Sequence, residues 1–220
     1  MAGDAGLEHA RRELVEACRR MATAGLAAGQ AGNLSQRVGQ GMLITPSGAE
    51  LGNLQPEETV CMSLSGDVAP GQLRPSSEWQ LHAAVYTRRP DLNAVAHCHS
   101  RYATILACAH RPIPALHYMI AVSGGDEIPL APYATFGSDE LARAVADTLG
   151  TGGACLLANH GQVAGGRDLA AAVRIAREVE ELAALYWGCL AIGGARVLGT
   201  REMAVVREAF AGYGQQDRQS

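Results

Sequence analysis

Asn93-Ala94-Val95-Ala96-His97-Cys98-His99 is an apolar run that closes on two histidines one residue apart. In a β-strand, residues i and i+2 point to the same face, so both imidazoles aim at one point and Cys98 turns away. Ser100 to Ala109 follows as a helix. A second apolar run, Leu156-Leu157-Ala158-Asn159, delivers His160 to a glycine turn at Gly161, where a strand passes into a loop. Three histidines with an open fourth position form the ligand pattern of a catalytic zinc site rather than a structural one.

Outward from this pair, periodicity divides the rest of the chain. Leu7, Leu14, Val15, Cys18, Met21 and Leu26 recur at helical spacing and predict an amphipathic helix over 7–26. Asn33–Val38 and Met42–Thr45 read as a hairpin about Gly39-Gln40-Gly41, and Thr59–Leu64 as a further strand. Ser77–Tyr86 reads as a helix capped by Ser76 or Ser77. Ile113–Pro132 reads as strand fragments and loops, and Asp139–Leu149 as a helix capped by Ser138. Ala154–Ala158 and Gln162–Ala164 form a hairpin around His160. A long helix runs over 168–189 with Asp168 as its start signal, a shorter one over 201–210, and the polar stretch 212–220 reads as a mobile tail. Helices alternating with hairpins pack most simply as a sheet covered on both faces.

Composition narrows the function classes. The 220 residues suit one domain, and 48% hydrophobic with 18% charged residues is the balance of an ordinary soluble globular protein. A net charge of −4 leaves no electrostatic footprint for nucleic acid or an anionic membrane. No apolar stretch reaches the roughly 18 residues of a membrane span, and 1–12 lacks the apolar core of a signal peptide, so a cytoplasmic location is expected. The six cysteines have no Cys-x-x-Cys spacing and read as reduced, mostly buried thiols. All 18 basic residues are arginines. Without a lysine, Schiff-base chemistry is excluded.

Three short stretches point to an anion beside the metal. Pro75-Ser76-Ser77-Glu78 offers two hydroxyls and exposed amides at a helix start, Ala31-Gly32-Asn33 gives close backbone approach with a side-chain amide, and Thr45-Pro46-Ser47-Gly48 gives a tight turn with hydroxyls. Each alone is equally a helix cap or a common turn. Together they would surround a phosphate with neutral donors. Glu78 is either a carboxylate favoured by the helix dipole or a general base beside a metal. His82, one turn on, reads as a partly buried polar neighbour, and His117 as pointing away from Tyr118 in an extended segment. Trp79 and Trp187 read as packing residues. Arg88, Arg174 and Arg177 read as lying on solvated faces or at subunit contacts.

From about Leu14 to Tyr213 these residues resemble the class II aldolase/adducin family. The matching stretches include Ala31-Gly32-Asn33-Leu34-Ser35, Gly41–Pro46, Pro75-Ser76-Ser77-Glu78-Trp79, His97-x-His99, Ile113–Ile120, Ala131–Gly137 and Asn159-His160-Gly161. The resemblance implies an α/β fold, a three-layer α-β-α sandwich with a central mixed, mostly antiparallel sheet. It implies a zinc-dependent carbon–carbon lyase whose Zn2+ is held by His97, His99 and His160, with Glu78 as acid/base and an enediolate stabilised by the metal. Asn33, Ser47, Gly48, Ser76 and Ser77 would hold the substrate phosphate. Tyr118 would act as an acid from a neighbouring subunit in a homotetramer with inter-subunit active sites. Phe136 and Tyr213 would line the aldehyde pocket. The implied substrate is a small phosphorylated sugar, L-fuculose 1-phosphate, split into dihydroxyacetone phosphate and L-lactaldehyde. Related chemistry on 5-deoxyribulose 1-phosphate or 5-methylthioribulose 1-phosphate is the alternative. A ketose-phosphate epimerase would carry an aspartate at position 78, and a non-catalytic adducin-like domain would have lost its histidines. One departure is visible: Gln30 stands where a small hydroxyl residue is expected before Ala-Gly-Asn, a change placed to retune the phosphate contacts.

Overall fold

A computed structural model of the chain describes residues 4–27 and 29–212. Its elements run α1 (Asp4–Thr23), β1 (Asn33–Val38), β2 (Gly41–Ile44), β3 (Val60–Ser63), α2 (Trp79–Arg88), β4 (Ala94–Cys98), α3 (Arg101–Cys108), β5 (Ile113–Pro114), β6 (Glu127–Ile128), β7 (Leu130–Ala131), α4 (Asp139–Leu149), β8 (Ala154–Leu157), β9 (Gly161–Gly166), α5 (Leu169–Ala191) and α6 (Thr200–Gly212). Seven strands form one sheet in the order β3-β2-β1-β4-β9-β8-β7, and β5 and β6 make a separate ribbon. Every pairing in the large sheet is antiparallel except β7 with β8. This is the mixed, mostly antiparallel sheet expected, with helices on both faces.

Side-chain alternation sorts the layers. On one face, Leu34, Ala94, Ala96, Cys98, Leu156 and Ala164 join the core with residues of α1, α3 and α5. On the other, Met42, Ile44, Val95, Cys155, Leu157 and Val163 join Leu81 and Val85 of α2 and Leu141 and Val145 of α4. Because β4 alternates, His97 shares the face of Val95 and therefore points toward α2. In the β1–β4 register Asn33 sits opposite His97 and Ser35 opposite Val95. A row of polar groups is thus buried in an otherwise apolar layer, which is tolerable only where each finds a hydrogen-bond partner.

The helix starts test the capping expectations. Ser138 Oγ accepts from Leu141 N at 3.1 Å and Asp168 from Ala171 N at 2.7 Å, each cap being worth about 1 kcal/mol. The expectation for α2 is corrected. Neither Ser76 nor Ser77 caps it; Glu78 stands at the cap position without bonding its own helix, because its carboxylate is turned to the histidines of the sheet. Within 113–132 the chain also makes a 3-10 helix, Tyr118–Ser123, whose start is bonded by His117 Nδ1 accepting from Met119 N. That turn brings the His117 and Tyr118 rings to 4.6 Å rather than pointing them apart. Of the six free cysteines, Cys18, Cys98 and Cys155 are buried, Cys61 and Cys189 are half-buried and Cys108 is exposed. Among the described residues no helix is long and apolar enough to cross a membrane.

Candidate metal centre and substrate cleft

His97 is the penultimate residue of β4, His99 follows one residue past the strand, and His160 sits in the β8–β9 turn. The antiparallel β4–β9 pairing lays that turn beside the end of β4. The three ring centroids lie 4.8–4.9 Å apart, and His97 Nε2 is 3.0 Å from His99 Nε2. Glu78 closes the group from α2, with Oε2 3.2 Å from His97 Nε2 and Oε1 3.3 Å from His160 Nε2. One ligand atom from each of the four lies within 4.8 Å of the others. His97 Nδ1 is 2.8 Å from the carbonyl of Gln162. A carbonyl only accepts, so Nδ1 carries the proton and Nε2 keeps its lone pair for a cation, the usual support for a metal-binding imidazole.

Two close approaches make this geometry available. At Gly32, φ is +92° and a Cβ would lie 2.9 Å from the His97 carbonyl oxygen; at Gly161, a Cβ would lie 2.5 Å from the Cys98 carbonyl oxygen. Any larger residue at either position would push the β1 loop or the His160 turn away from β4. Asn159, just before His160, holds the left-handed conformation at φ 56°, and its side-chain oxygen meets His110 Nε2 at 2.6 Å. His110 therefore has a structural partner that no local motif announced.

Burial alone would raise the Glu78 carboxyl, but the imidazoles of His97 and His160 outweigh it and hold Glu78 well below the usual carboxylate range. His99 is held below the ordinary imidazole value, first by partial desolvation of its ring and then by His97 and His160. A His99 ring kept neutral and an ionised Glu78 are the protonation states in which these two groups bind a divalent cation. Glu78 Oε1 is buried with no hydrogen-bond partner, a polar atom that a cation in the cluster would satisfy. The donor set fits zinc.

Around the cluster lies a cleft of about 370 Å³. It is lined by Asn33, Ser47, Gly48, Ser76 and Ser77, all five of the residues singled out for an anion, and by Phe136. Gln30 lines it too. Ser47 N–H is taken by the Arg74 carbonyl and Ser76 N–H by the Thr45 carbonyl, both at 3.0 Å, which ties the two loops together. Among the described residues the hydroxyls of Ser47 and Ser77 have no protein partner. No arginine lines the cleft, and Asn33, Ser47, Gly48, Ser76 and Ser77 offer only neutral hydroxyls and amides. Asn33 is deeper than its neighbours: its amide donates to Glu78 Oε2 at 3.0 Å, and its carbonyl oxygen lies 2.5 Å from His82 Nε2. His82 is fully buried rather than partly so. Tyr133 and Phe136 form the outer wall, 62% and 66% exposed.

Tyr118 is not brought to this cleft. It is half exposed and lines a different groove with Met119, Val122 and Phe210. Tyr213 lies outside the described residues. Of the two tryptophans, Trp79 packs under the α2–α4 core, whereas Trp187 is 46% exposed and meets Tyr102 at 5.5 Å. Arg88, Arg174 and Arg177 are exposed, as expected.

Comparison with known proteins bears on this site. The family model described as "Class II Aldolase and Adducin N-terminal domain" matches residues 12–187. The 5-methylthioribulose-1-phosphate/5-deoxyribulose-1-phosphate aldolase of Rhodospirillum rubrum is 48% identical over 204 residues, covering 93% of this chain and 92% of that protein. The L-fuculose phosphate aldolase of Escherichia coli K12 is 46% identical over 204 residues, covering 92% and 94%. A solved L-fuculose 1-phosphate aldolase superposes with a TM-score of 0.88 at 40% identity, over 92% of this chain and 96% of its own.

Proposed function

Since the chain belongs to the class II aldolase and adducin family and is a carbon–carbon lyase of the fuculose-phosphate/methylthioribulose-phosphate type, we propose that it cleaves L-fuculose 1-phosphate to dihydroxyacetone phosphate and L-lactaldehyde with Zn2+ as its metal. The observation that carries this reading is the convergence of Glu78, His97, His99 and His160 at one end of a cleft whose other lining is neutral hydroxyls and amides.

Class II aldolases are metal-dependent, and His97, His99 and His160 would hold the ion here. When bound, Zn2+ supplies Lewis-acid stabilisation of the negative charge that cleavage leaves on the dihydroxyacetone phosphate half. The remaining work belongs to the chain. Ser47, Gly48, Ser76 and Ser77, with Asn33 deeper in, hold the phosphate and so fix the carbon chain against Glu78. Glu78, ionised and buried, exchanges the proton at the carbon from which the aldehyde departs. Phe136 covers the aldehyde end, and Tyr213 is proposed to close over it. Tyr118 exchanges a proton with the aldehyde oxygen from a neighbouring subunit. Its exposure and its distance from its own cleft support that assignment, and with it a homotetramer.

A second reading keeps the chemistry and changes the sugar. The Rhodospirillum rubrum relative and the exposed aromatic wall of Tyr133 and Phe136 favour ketose 1-phosphates with a wholly apolar tail, 5-deoxyribulose 1-phosphate or 5-methylthioribulose 1-phosphate.

The test is release of dihydroxyacetone phosphate from each of the three sugars by zinc-loaded protein, with and without a chelator. Chelator-sensitive cleavage is expected, and the ratio of kcat/KM selects the sugar. Zinc-loaded protein that cleaves none of the three overturns the reading. Mixing Glu78→Gln and Tyr118→Phe subunits tests the shared site. Regained activity is expected, because some interfaces then carry both wild-type groups.

A further inference from the structure

Between the sheet and α2, five buried side chains form one unbroken hydrogen-bonded line. Tyr86 Oη is 2.8 Å from Ser35 Oγ, Ser35 Oγ is 2.7 Å from His82 Nδ1, His82 Nε2 is 2.5 Å from Asn33 Oδ1, and Asn33 Nδ2 is 3.0 Å from Glu78 Oε2. Their exposures run from 0% for Ser35 and His82 to 7% for Glu78; Tyr86, Ser35 and His82 keep their partners away from water, while Asn33 and Glu78 also border the cleft.

The protons on this line can be assigned from its far end. A carboxylate only accepts, so Asn33 turns its amide N–H to Glu78 and its carbonyl to His82. That carbonyl only accepts, so His82 carries its proton on Nε2. Burial, and then the neighbouring His97, push His82 down to about 3 against a smaller opposing pull from Glu78, so the ring is neutral and Nδ1 is an acceptor. Ser35 then donates to Nδ1 and accepts from the Tyr86 hydroxyl. Tyr86 is itself held in place: Arg37 lies over its ring at 4.7 Å and donates to its carbonyl at 2.8 Å. Each donor has one acceptor, and the direction runs from Tyr86 to Glu78.

We propose that His82 is a positioning residue for Glu78, acting through the Asn33 amide. Its Nε2–H holds that amide in the one orientation that donates to Glu78 Oε2. With the opposite tautomer the amide would turn over and face the carboxylate with its own carbonyl oxygen, which repels it. The line therefore anchors Oε2 and leaves Oε1, which makes no hydrogen bond and faces the cleft cluster, as the oxygen that exchanges the proton. This inference rests on the reading of Glu78 as the acid/base.

The experiment pairs two variants with a spectroscopic readout. His82→Gln keeps an N–H where Nε2–H stands, and His82→Leu fills the space without one. For His82→Leu, kcat is expected to fall about tenfold or more, the scale of one misplaced hydrogen bond in the transition state. Bound zinc per subunit is expected to stay within about twofold of wild type, KM is expected to change less than kcat because Ser47, Gly48, Ser76 and Ser77 still hold the phosphate, and His82→Gln is expected to recover most of kcat. Ser35→Ala, a smaller change, replaces His82→Leu if that variant does not fold; it removes the donor to Nδ1 and is expected to lower kcat in the same way. Nitrogen-15 NMR of the wild-type protein is expected to show His82 neutral with its proton on Nε2. Three results overturn the proposal: unchanged kcat in His82→Leu or Ser35→Ala, a proton on Nδ1, or a His82→Gln protein as slow as His82→Leu. A wild-type protein that shows the Nε2 tautomer yet cleaves no ketose 1-phosphate overturns the proposed function instead and leaves the hydrogen-bonded line standing.

Discussion

The floor of the cleft and its mouth are built on opposite plans. On the floor, Asn33, His82 and His97 are buried, and each has its polar atoms fixed by another side chain or a carbonyl. At the mouth, Tyr133 and Phe136 project into solvent, and the Ser47 and Ser77 hydroxyls have no protein partner among the described residues. A buried polar group left unpaired costs about 1–3 kcal/mol, so the floor has one arrangement, whereas the mouth can adapt to what enters it. On the proposed function, the geometry for proton transfer would be set in advance inside the layer, and the choice of sugar left to residues that tolerate change.

Breaking the floor gives the largest effects. His97→Ala is expected to abolish both metal binding and turnover, read by zinc content and dihydroxyacetone phosphate release; a metal-free variant that still turns over would break the comparison at its root. Glu78→Gln is expected to stay folded and to lose about 10²–10⁴ in kcat, the usual worth of a positioned acid/base.

Acid also attacks the floor. His82 is held neutral down to about 3, against an ordinary value near 6.5 in the unfolded chain. Below that ordinary value the unfolded state takes up the proton and the folded state does not. The contribution of His82 to stability is therefore complete above about pH 6.5 and is lost progressively as pH falls toward 3, on the order of a few kcal/mol. The neighbours that bear on this titration are Glu78 and His97. Urea unfolding across this range is expected to show the decline, and His82→Gln to flatten it.

The mouth gives smaller changes. Ser77→Ala is expected to raise KM by about tenfold, the worth of one hydrogen bond to a charged group, with kcat nearly unchanged. Phe136→Ala is expected to alter the kcat/KM ratio among the three sugars by less than about tenfold, because lost apolar contact at an exposed wall is worth about 1 kcal/mol. A larger effect of Phe136→Ala on kcat than of Glu78→Gln would reverse the contrast between floor and mouth.

Much of this was legible in the chain. The period of two through 93–99 places both histidines on one side, and the caps at Ser138 and Asp168 follow from residues three apart. The five anion-loop residues were legible as turns, and their chemistry only as a set. The start of α2 reads two residues early in the chain, at Ser77 rather than Trp79, and Glu78 reads equally as a dipole partner or as a base beside a metal until the sheet opposite it is known. His82 and Ser35 carried no local signal: a histidine on a helix and a serine on a strand look the same whether they face a partner or water.

The sequence by itself determined the alternation of strands and helices and the identity of the groups able to hold a cation, because these depend on neighbours a few positions apart. Only the tertiary structure decided which groups meet. Asn33 reaches Glu78 across 45 positions and His97 reaches the Gln162 carbonyl across 65. Such contacts depend on strand register and on which face of the sheet α2 covers. Those are set by burying two apolar layers at once, a condition on the whole chain that no short segment contains.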